Sequence, residues 1–327
     1  MSMNYKAFAD LNSDIREDFQ KISTLDVDLV VGLPRSGMVP AYIVSMLMNL
    51  SCTDFQSFLD NRPLKRGSTR SARNQLVYPH DAKKILIVDD SVNTGLSMEQ
   101  ARGQIPEQLL PKVKTMAVYS ASRTPQCIDF YLKYLPQPRV FEWNVFGHHV
   151  LKEACFDIDG VLCVDPTAEQ NDDGEKYRDF ILNAEPKFLP SSKVHALVTS
   201  RLEKYRPETE LWMQKHGVEY EHLIMLDLPS AQERRRLKCH GKHKANYYKN
   251  SGALLFVESE VFQAQEICVL TGKPVYCADD NKMYRPGLVK IAAHNPSYFK
   301  HRSIELWDDS VNSLKQFVKG LIGYRTS

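Results

Sequence analysis

The sequence predicts an α/β protein with two doubly wound domains, each a mainly parallel sheet flanked by helices. Short apolar strands alternate with helical segments along the chain, a pattern typical of parallel sheets covered by helices. The chain has 327 residues, which is more than one ordinary hydrophobic core needs. A second series of elements begins near residue 154 with a buried strand that ends in two aspartates. We therefore predict domains at residues 1–152 and 153–327.

Composition and charge exclude several functional classes. With 43% hydrophobic and 25% charged residues and a net charge of +2, the chain lacks the basic footprint of a nucleic-acid-binding protein. Its seven cysteines form no CxxC pair, which disfavours a zinc site or a disulfide framework and suits a reducing compartment. The first residues are too charged for a signal peptide, and the longest apolar run (38–50) is too short to span a bilayer. We expect a cytoplasmic protein with no integral membrane segment and no nucleic-acid partner.

The elements predicted from apolar patterns and turn residues fall into two series. In the first series they are a helix at about 10–22, a strand at 28–32, a helix from about 40, a polar stretch at 61–73 and a strand at 84–88. In the second they are strands at 154–162, 194–198, 222–226, 253–257 and 274–277, and a helix at 205–216. The tail 286–327, with a last helix at about 309–321, is expected to dock on either domain.

The strongest motif is the segment 85–97, ILIVDDSVNTGLS, in which a strand runs into two carboxylates, a small polar turn and a helix. Asp89 and Asp90 can accept hydrogen bonds from the vicinal hydroxyls of a ribose. The backbone amides at a helix N-terminus, together with a threonine hydroxyl, can hold a phosphate. The residues expected to do so are Ser91, Val92, Asn93, Thr94 and Gly95. Two acids alone are compatible with a solvated turn, but the polar turn that follows them favours the sugar-phosphate interpretation.

This segment closely resembles the signature of type I phosphoribosyltransferases, which use phosphoribosyl pyrophosphate (PRPP). The resemblance implies an upstream pyrophosphate loop, for which the segment 32–40 (GLPRSGMVP) is the match. Arg35, Ser36 and Gly37 would face the pyrophosphate, and the Pro34–Arg35 peptide would be cis.

The family also has a mobile catalytic loop, and the polar stretch 61–73 occupies its place. Its basic residues could close over the leaving pyrophosphate and exclude water. They are Lys65, Arg66, Arg70 and Arg73, of which Arg70 is the predicted PRPP ligand. An ordinary exposed basic loop is the alternative interpretation.

The resemblance implies displacement at ribose C1, with Asp90 among the catalytic residues, Mg²⁺ neutralising the pyrophosphate, and inversion to a β-ribosyl product. Family members that salvage 6-oxopurines have an acid near the position of Asn93, which takes a proton from the base. An amide cannot do so, which argues against guanine or hypoxanthine and leaves adenine, pyrimidines and non-base acceptors open. The segment 141–146 (FEWNVF) could stack on an acceptor or form a core strand at the domain junction.

The segment 156–162, FDIDGVL, resembles the opening motif of the haloacid dehalogenase (HAD) superfamily. The resemblance implies that Asp157 attacks phosphorus and forms an aspartyl-phosphate, while Asp159 protonates the leaving oxygen and later activates water. Gly160 would permit the tight turn. Taken alone, this pattern also fits a calcium-binding or simple turn motif.

Later segments resemble the remaining HAD motifs. In VTSR (198–201), Thr199 would bind the phosphoryl oxygens, and Lys244 would stabilise charge, with Lys242 as the alternative lysine. The family has metal-binding aspartates where this chain has ESE (258–260), so we predict Mg²⁺ ligands at Asp157, Asp159 and Glu258, with Glu260 as an alternative to Glu258. The gaps between the motifs leave no room for a large cap domain, so the site should be open.

The simplest coupling is sequential transfer of 5-phosphoribosyl from PRPP to an acceptor hydroxyl, followed by removal of the 5-phosphate to leave a β-ribofuranosyl group. The pairing resembles phosphoribosyltransferase–phosphatases that place ribofuranose in bacterial surface polysaccharides. It implies a glycan acceptor, free or lipid-linked, and a homodimer is compatible with the chain. Two alternatives remain open: a nucleobase-salvage transferase fused to a nucleotidase, and a PRPP-sensing regulator without catalysis.

Overall fold

A computed structural model describes residues 3–65, 67, 72–73 and 76–287. Its contacts divide these residues into two compact units, one formed by Asn4–Trp143 and the other by the residues from Asn144 onward, with Met3. Arg66, Arg70 and most of the tail, including the helix predicted at 309–321, lie outside the described residues.

The division falls between residues 143 and 144, whereas the sequence analysis places it between residues 152 and 153. The intervening residues form 3₁₀ turns at Glu142–Gly147 and His149–Glu153. The ring of Phe146 stacks on Phe188, with centroids 4.8 Å apart, and also contacts Phe156. These aromatic contacts join the turns to the second unit, and no change in composition marks that boundary in the sequence.

The first unit is built on a five-stranded sheet in which every strand is parallel to its neighbours, in the order β3-β2-β4-β5-β6. Its strands are β1 (Asn4–Lys6), β2 (Leu29–Gly32), β3 (Ser51–Asp54), β4 (Ile85–Val92), β5 (Val113–Ser120), β6 (Phe130–Tyr134) and β7 (Arg139–Phe141). Its α-helices are α1 (Phe8–Glu17), α2 (Phe19–Ser23), α3 (Met38–Met48), α4 (Phe55–Leu59) and α5 (Leu96–Gln104). Strands β1 and β7 form a separate parallel pair.

The first sheet is buried on both faces. In β4, Ile85 and Ile87 pack in a cluster that contains Met98 of α5, whereas Leu86 and Val88 pack in a second cluster that contains Val44 of α3. Successive side chains of a strand point to opposite faces, so helices α5 and α3 cover opposite faces of the sheet. This arrangement confirms the predicted doubly wound α/β class for the first unit.

The second unit contains a six-stranded sheet in the order β10-β9-β8-β11-β12-β13. Its strands are β8 (Ala154–Phe156), β9 (Val194–Leu202), β10 (Tyr220–Leu226), β11 (Leu255–Glu258), β12 (Val275–Cys277) and β13 (Lys282–Tyr284). Its α-helices are α6 (Glu175–Asn183), α7 (Arg206–Lys215), α8 (Ala231–Leu237), α9 (His240–Asn250) and α10 (Val261–Thr271). The first five strands in this order are parallel, and β13 runs antiparallel to β12. The mainly parallel sheet with helices confirms the α/β class for this unit as well.

Two strands run further than the sequence predicts. Strand β4 continues to Val92 because Asp89 and Ser91 still pair with β5, and strand β9 continues to Leu202, which pairs with Leu226. The acidic pair of the first motif therefore lies inside a strand rather than in a turn. The helix predicted at 10–22 is divided into α1 and α2 at Asp18. Among the described residues, no helix is both long enough and apolar enough to cross a bilayer.

Candidate active sites

The loop after β2 packs directly against the end of β4. The backbone N–H of Leu33 donates to the carbonyl of Val88 over 3.0 Å. A Cβ atom on Gly37 would lie 2.6 Å from the carbonyl oxygen of Leu33 and 2.8 Å from that of Val88, so only glycine fits there. The Pro34–Arg35 peptide is cis, as predicted. The predicted pyrophosphate loop thus lies beside the acidic pair.

Asp90 is almost completely buried, and both of its carboxylate oxygens accept hydrogen bonds from the protein. The Ser36 hydroxyl donates to Oδ1 over 2.8 Å, and the indole Nε1 of Trp143 donates to Oδ2 over 2.7 Å. The sequence analysis expected Asp90 to face the hydroxyls of a ribose. In this structure it links the loop after β2 to Trp143, so a ribose could bond to it only by sharing or displacing these donors.

Asp89 is half-buried and lines an open cavity of about 400 Å³. The other lining residues are Leu33, Pro34, Ser36, Phe55, Asp90, Ser91, Ser97, Gln100, Ala101 and Gln104. Burial raises the pKa of Asp89 well above its usual value, and the neighbouring charge of Asp90 raises it further. The cavity combines a carboxylate, serine hydroxyls and residues of α5, a lining that can accommodate a polar sugar.

The other predicted PRPP ligands have different exposures. Arg35, Asn93 and Thr94 are exposed, Val92 is buried at the end of β4, and Gly95 is buried where α5 begins. Of the basic residues at 61–73, Lys65 and Arg73 are exposed. The predicted ligand Arg70 lies outside the described residues, so its role stays a prediction.

Trp143 is a site residue whose polar role the sequence analysis missed. Its ring stacks on Phe141 at 4.8 Å and packs on Phe8 at 5.3 Å. The buried guanidinium of Arg139 donates to the carbonyl of Val92 over 2.8 Å, which ties β7 to the end of β4. The sequence left the run at 141–146 as either a stacking surface or a core strand, and nothing in it indicated that the indole N–H bonds to Asp90.

We predict that Trp143→Phe destabilises the first unit while preserving its aromatic packing. The phenyl ring can still stack on Phe141, but the N–H donor to the buried Asp90 carboxylate is lost, at a cost of about 1–3 kcal/mol. Denaturant unfolding followed by circular dichroism measures the change, and Ser36→Ala removes the second donor for comparison. An unchanged unfolding midpoint for both variants would contradict a stabilising role for this network.

The second candidate site lies at the carboxyl ends of three adjacent parallel strands. Asp157 directly follows β8, Thr199 lies near the end of β9, and Glu258 is the last residue of β11. Carboxyl ends of parallel strands meet at one edge of a sheet, which brings these side chains together. Thr199 is buried. The sheet therefore assembles three of the residues that the sequence analysis placed in one site.

Lys244 holds this cluster together from helix α9. Its Nζ atom donates to Asp157 Oδ2 over 2.6 Å, to Glu258 Oε2 over 2.7 Å and to Gln263 Oε1 over 2.8 Å. Burial alone would lower the pKa of Lys244, but the charges of Asp157 and Glu258 outweigh it and raise that pKa. The alternative lysine, Lys242, is exposed.

The structure also distinguishes between the two glutamates after β11. Glu258 is fully buried in the cluster, and its Oε1 accepts the backbone N–H of Ser259 over 3.0 Å. Glu260 is exposed, and its carboxylate accepts the Gln263 amide. Glu258 is therefore the glutamate whose carboxylate contacts Lys244, whereas the Glu260 carboxylate bonds to Gln263 and the Glu260 backbone N–H donates to Glu258 Oε1 over 3.3 Å.

Asp159 forms a forked ion pair with Arg201, a fully buried arginine to which the sequence analysis gave no role. Arg201 Nη2 lies 2.6 Å from Asp159 Oδ1, and Nε lies 3.2 Å from Oδ2. Burial opposes the charge of Arg201, but the Asp159 carboxylate more than compensates, so the pKa of Arg201 is raised. The Asp159 carboxylate thus faces Arg201 rather than the Lys244 cluster, and its part in a metal site stays a prediction.

Gly160 allows the chain to turn sharply directly after Asp159. Its φ is +75°, in the left-handed region that favours glycine. A Cβ atom there would lie 2.3 Å from the Ser259 hydroxyl. Any larger residue would therefore separate the turn after β8 from the residues that follow β11.

The residues at this site fit a magnesium ion in donor chemistry and in charge. Asp157 and Glu258 supply the carboxylate oxygens that Mg²⁺ prefers. When Asp157, Asp159 and Glu258 are all ionised, these three carboxylates face two cationic side chains (Lys244 and Arg201), which leaves one formal negative charge before any phosphate binds. A divalent cation would offset this surplus. Asp157 and Glu258 are the residues that would hold it.

We predict that Glu258 makes the stability of the metal-free protein depend on pH. Burial raises the pKa of Glu258 to about 8, with Asp157 adding to the increase and Lys244 opposing it, whereas its ordinary value is 4.5. An acid whose pKa is raised in the folded state destabilises that state as it ionises, so stability should fall as the pH rises from about 4.5 to about 8.

Glu258→Gln should remove that part of the pH dependence. The measurement is denaturant unfolding in EDTA at pH 5 and pH 8, with Glu260→Gln as the matched exposed control. If wild type and Glu258→Gln lose the same stability between the two pH values, Glu258 is not the group responsible for the pH dependence.

Comparisons with known proteins found similarity in the first part of the chain. The sequence profile of the family described as "Phosphoribosyl transferase domain" matches residues 4–151. The xanthine-guanine phosphoribosyltransferase of Idiomarina loihiensis is 26% identical over 123 residues, which are 37% of this chain and 73% of the relative. That of Chromohalobacter salexigens is 24% identical over 162 residues, 49% of this chain and 86% of the relative.

Two solved structures also align with part of the chain. The Helicobacter pylori xanthine-guanine-hypoxanthine phosphoribosyltransferase shares 18% identity, covers 44% of this chain and 94% of its own, and gives a TM-score of 0.32. A purine phosphoribosyltransferase from Pyrococcus horikoshii shares 20% identity, covers 44% of this chain and 95% of its own, and gives the same TM-score of 0.32. These scores are too low to carry a functional argument. The profile match and the two sequence relatives support a phosphoribosyltransferase domain over residues 4–151.

Proposed function

We propose that the chain transfers a 5-phosphoribosyl group from PRPP in its first domain and hydrolyses a phosphate monoester in its second. The transferase half rests on the family match to residues 4–151, together with the cavity beside Asp89 and the loop after β2. The phosphatase half rests chiefly on one observation: the ammonium of Lys244 bridges Asp157 and Glu258 at the ends of adjacent strands. Buried carboxylates held by a lysine in this way suit phosphoryl transfer.

In the transferase domain, the chain's residues would position the sugar and receive the leaving group. Asp89 accepts hydrogen bonds from ribose hydroxyls in the cavity, while Asp90 keeps Ser36 and the loop after β2 in place. The amides where α5 begins hold the 5-phosphate. Mg²⁺, when bound with PRPP, neutralises charge on the departing pyrophosphate. The bond from C1 to pyrophosphate breaks as the bond from C1 to the acceptor forms.

In the second domain, an oxygen of Asp157 attacks phosphorus and the bond to the sugar oxygen breaks. Asp159, which is ionised in its pair with Arg201, first takes up a proton from solvent; it gives that proton to the leaving oxygen, then takes one from the water that hydrolyses the aspartyl-phosphate. Lys244 offsets negative charge on the phosphoryl oxygens, and Thr199 donates a hydrogen bond to them. Mg²⁺ held by Asp157 and Glu258 would lower the repulsion between the carboxylates and the phosphate dianion.

A nucleobase is the acceptor that the comparisons favour. Both curated relatives are named xanthine-guanine phosphoribosyltransferases, which supports a purine-salvage transferase over the glycan transfer expected from the sequence. Within the purine class, Asn93 disfavours the 6-oxopurines. It is an exposed amide near the position where a 6-oxopurine enzyme needs an acid. A base that needs no proton removed at this position, such as adenine, would satisfy both observations.

A glycan hydroxyl is the second candidate acceptor, and the Asp157–Lys244–Glu258 cluster is the observation that favours it. A phosphatase that acts on the transferase product would undo nucleotide synthesis, whereas it would complete a ribofuranosyl glycoside. The chain between Asp157 and Thr199 contains a single α-helix, α6, so no large cap domain is inserted there. A site without such a cap can admit a bulky phosphoribosyl glycoside.

An acceptor panel tests the proposal. The purified chain is incubated with PRPP, Mg²⁺ and, separately, adenine, guanine, xanthine, orotate or a set of glycans, and pyrophosphate release is measured. Release with a purine and a nucleotide product would establish the salvage function. Release with a glycan and a ribosylated product would establish the second candidate. No acceptor-dependent release with any of them would contradict transferase function.

We also predict that the phosphatase prefers a phosphoribosyl group already attached to its acceptor over free PRPP. The sequence analysis suggested repulsion of the PRPP pyrophosphate by Glu203, but Glu203 pairs with Arg206, which offsets its charge. The surplus negative charge instead lies at the site itself, where Asp165 adds a further carboxylate. Burial raises the pKa of Asp165, and the charges of Asp159 and Asp157 raise it further; its Oδ2 atom lies 2.9 Å from where a Cβ atom on Gly160, the residue after Asp159, would be.

A hundredfold preference needs a difference of roughly 3 kcal/mol between transition states, which one unfavourable charge contact can supply. The test compares kcat/KM for PRPP and for a 5-phospho-β-ribosyl glycoside in an Asp89→Asn/Asp90→Asn background, which removes competing transfer. Asp165→Asn should reduce the ratio of kcat/KM for the glycoside to kcat/KM for PRPP. Equal values for both substrates would refute the prediction.

A further inference from the structure

Three potential metal ligands lie together at the edge of the second sheet, away from the Asp157 site. They are His195 near the start of β9 and the neighbouring pair Glu221 and His222 near the start of β10. The two strands are parallel, and His222 pairs in register with Ala196. His195 precedes Ala196 in β9, and the centroids of the His195 and His222 rings lie 5.3 Å apart.

The ligand atoms of this cluster are already close to one another. His195 Nδ1 lies 3.4 Å from Glu221 Oε2, and His222 Nε2 lies 3.8 Å from Glu221 Oε1. All three ligand atoms lie within 4.8 Å of one another. Ligands of a tetrahedral zinc ion are separated by about 3.3 Å, given bonds of about 2.0–2.1 Å. Small side-chain rotations would bring the three atoms to that separation.

We propose that His195, Glu221 and His222 bind a divalent transition metal ion of the zinc class, with solvent completing its coordination. Imidazole nitrogen favours Zn²⁺, Ni²⁺ or Co²⁺, whereas Mg²⁺ prefers an all-oxygen set. The site thus differs in ligand chemistry from the carboxylate cluster around Lys244. Among the described residues, this is the cluster in which the ligand atoms of two histidines and a carboxylate lie within 4.8 Å of one another.

The position of the cluster separates it from the candidate phosphatase site. His195 precedes Thr199 by four residues of the same strand, which corresponds to about 13 Å of extended chain. The cluster lies toward the amino ends of the parallel strands, and the Asp157 site lies at their carboxyl ends. A metal at the cluster would join edge strand β10 to β9 without entering the phosphatase chemistry.

The aromatic ring of Tyr247 supports the arrangement of the histidines. Its centroid lies 6.3 Å from that of His195 and 6.5 Å from that of His222, and the two imidazoles meet edge to face at 5.3 Å. Tyr247 lies on α9, the helix that carries Lys244. Packing against this ring restricts both imidazoles, so less side-chain freedom is lost when a metal binds.

The test uses the full chain with Mg²⁺ in excess, so that carboxylate sites are occupied, and adds Zn²⁺ alone as the probe. Isothermal titration should show about one equivalent of Zn²⁺ bound by wild type. Affinity should fall at least tenfold in His195→Ala, in His222→Ala and in the isosteric Glu221→Gln. His149→Ala, an exposed histidine outside the cluster, should bind as wild type does. Equal zinc affinity in wild type and all three cluster variants would overturn the proposal.

A footprinting experiment on the wild-type chain avoids any folding defect of the variants. Diethyl pyrocarbonate modifies imidazoles that hold no metal, and mass spectrometry locates the modified residues. Zn²⁺ should protect His195 and His222, and Mg²⁺ should protect neither. Failure of Zn²⁺ to protect either residue would overturn the proposal. The measurement does not depend on enzymatic activity, so its result stands apart from that of the acceptor panel.

Discussion

Asp157→Asn is expected to reduce phosphate release by a thousandfold or more while phosphoribosyl transfer continues, so that a 5-phosphorylated product accumulates. The amide cannot act as the nucleophile that forms the acyl-phosphate, and loss of a nucleophile typically removes most of the rate enhancement. The change also leaves Lys244 bonded to Glu258 and Gln263, so the buried ammonium keeps two of its three partners. Fold disruption is therefore not expected to account for the loss.

The measurement for Asp157→Asn is inorganic phosphate release, with mass spectrometry of the accumulated product. Asp179→Asn makes the same chemical change at an exposed position of α6 and serves as the matched control. Phosphate release by Asp157→Asn at the wild-type rate would show that Asp157 is not the nucleophile. A loss of pyrophosphate release in the same variant would show that the two activities are not separable.

The double variant Asp89→Asn/Asp90→Asn is expected to lose phosphoribosyl transfer by at least about a hundredfold and to keep phosphatase activity on a supplied phosphoribosyl glycoside. Two hydrogen bonds from ribose hydroxyls to the Asp89 carboxylate would contribute about 1.5–3 kcal/mol each, so their loss is enough for such a decrease. Asp90 adds a second reason: its carboxylate bonds to Ser36 and Trp143, and a weaker acceptor there loosens the loop after β2.

The single variants separate these two effects. Asp89→Asn should chiefly weaken PRPP binding, because Asp89 lines the cavity. Asp90→Asn should also lower the stability of the first unit, because Asp90 is buried with two donors. Asp26→Asn, an exposed change in the same unit, is the control. Transfer at the wild-type rate in the double variant would contradict the assigned role of the acidic pair.

The sequence predicts where strands lie because their apolar runs are local patterns, but it misplaces several strand ends; the strand predicted at 154–162, for example, ends at Phe156. Asp157 and Glu258 each follow or end a short apolar run, and parallel strands deliver such residues to a common edge. The sequence left Lys242 and Lys244 as alternatives, and the structure distinguishes them because the side chains of neighbouring helical residues point in different directions. Lys244 is buried in the cluster, and Lys242 is exposed.

Contacts between distant residues could not be predicted in the same way. The bond from Trp143 to Asp90 joins residues 53 positions apart, and the Arg201–Asp159 pair joins residues 42 positions apart. Each forms because separate strands bring the two side chains together, and no local spacing encodes that geometry. The ends of β4 and β9 were also placed too early, since pairing with a neighbouring strand extends each of them past its apolar run.

The central claim is that one chain transfers phosphoribose and then removes its 5-phosphate. Phosphorus NMR of the wild-type chain with PRPP, Mg²⁺ and the acceptor found in the panel tests it most directly, because it resolves PRPP, pyrophosphate, the phosphomonoester product and inorganic phosphate in one time course. We expect pyrophosphate and a transient phosphomonoester to appear first, and inorganic phosphate to follow as the phosphomonoester declines. A phosphomonoester that persists while pyrophosphate accumulates, or inorganic phosphate formed directly from PRPP, would contradict the account.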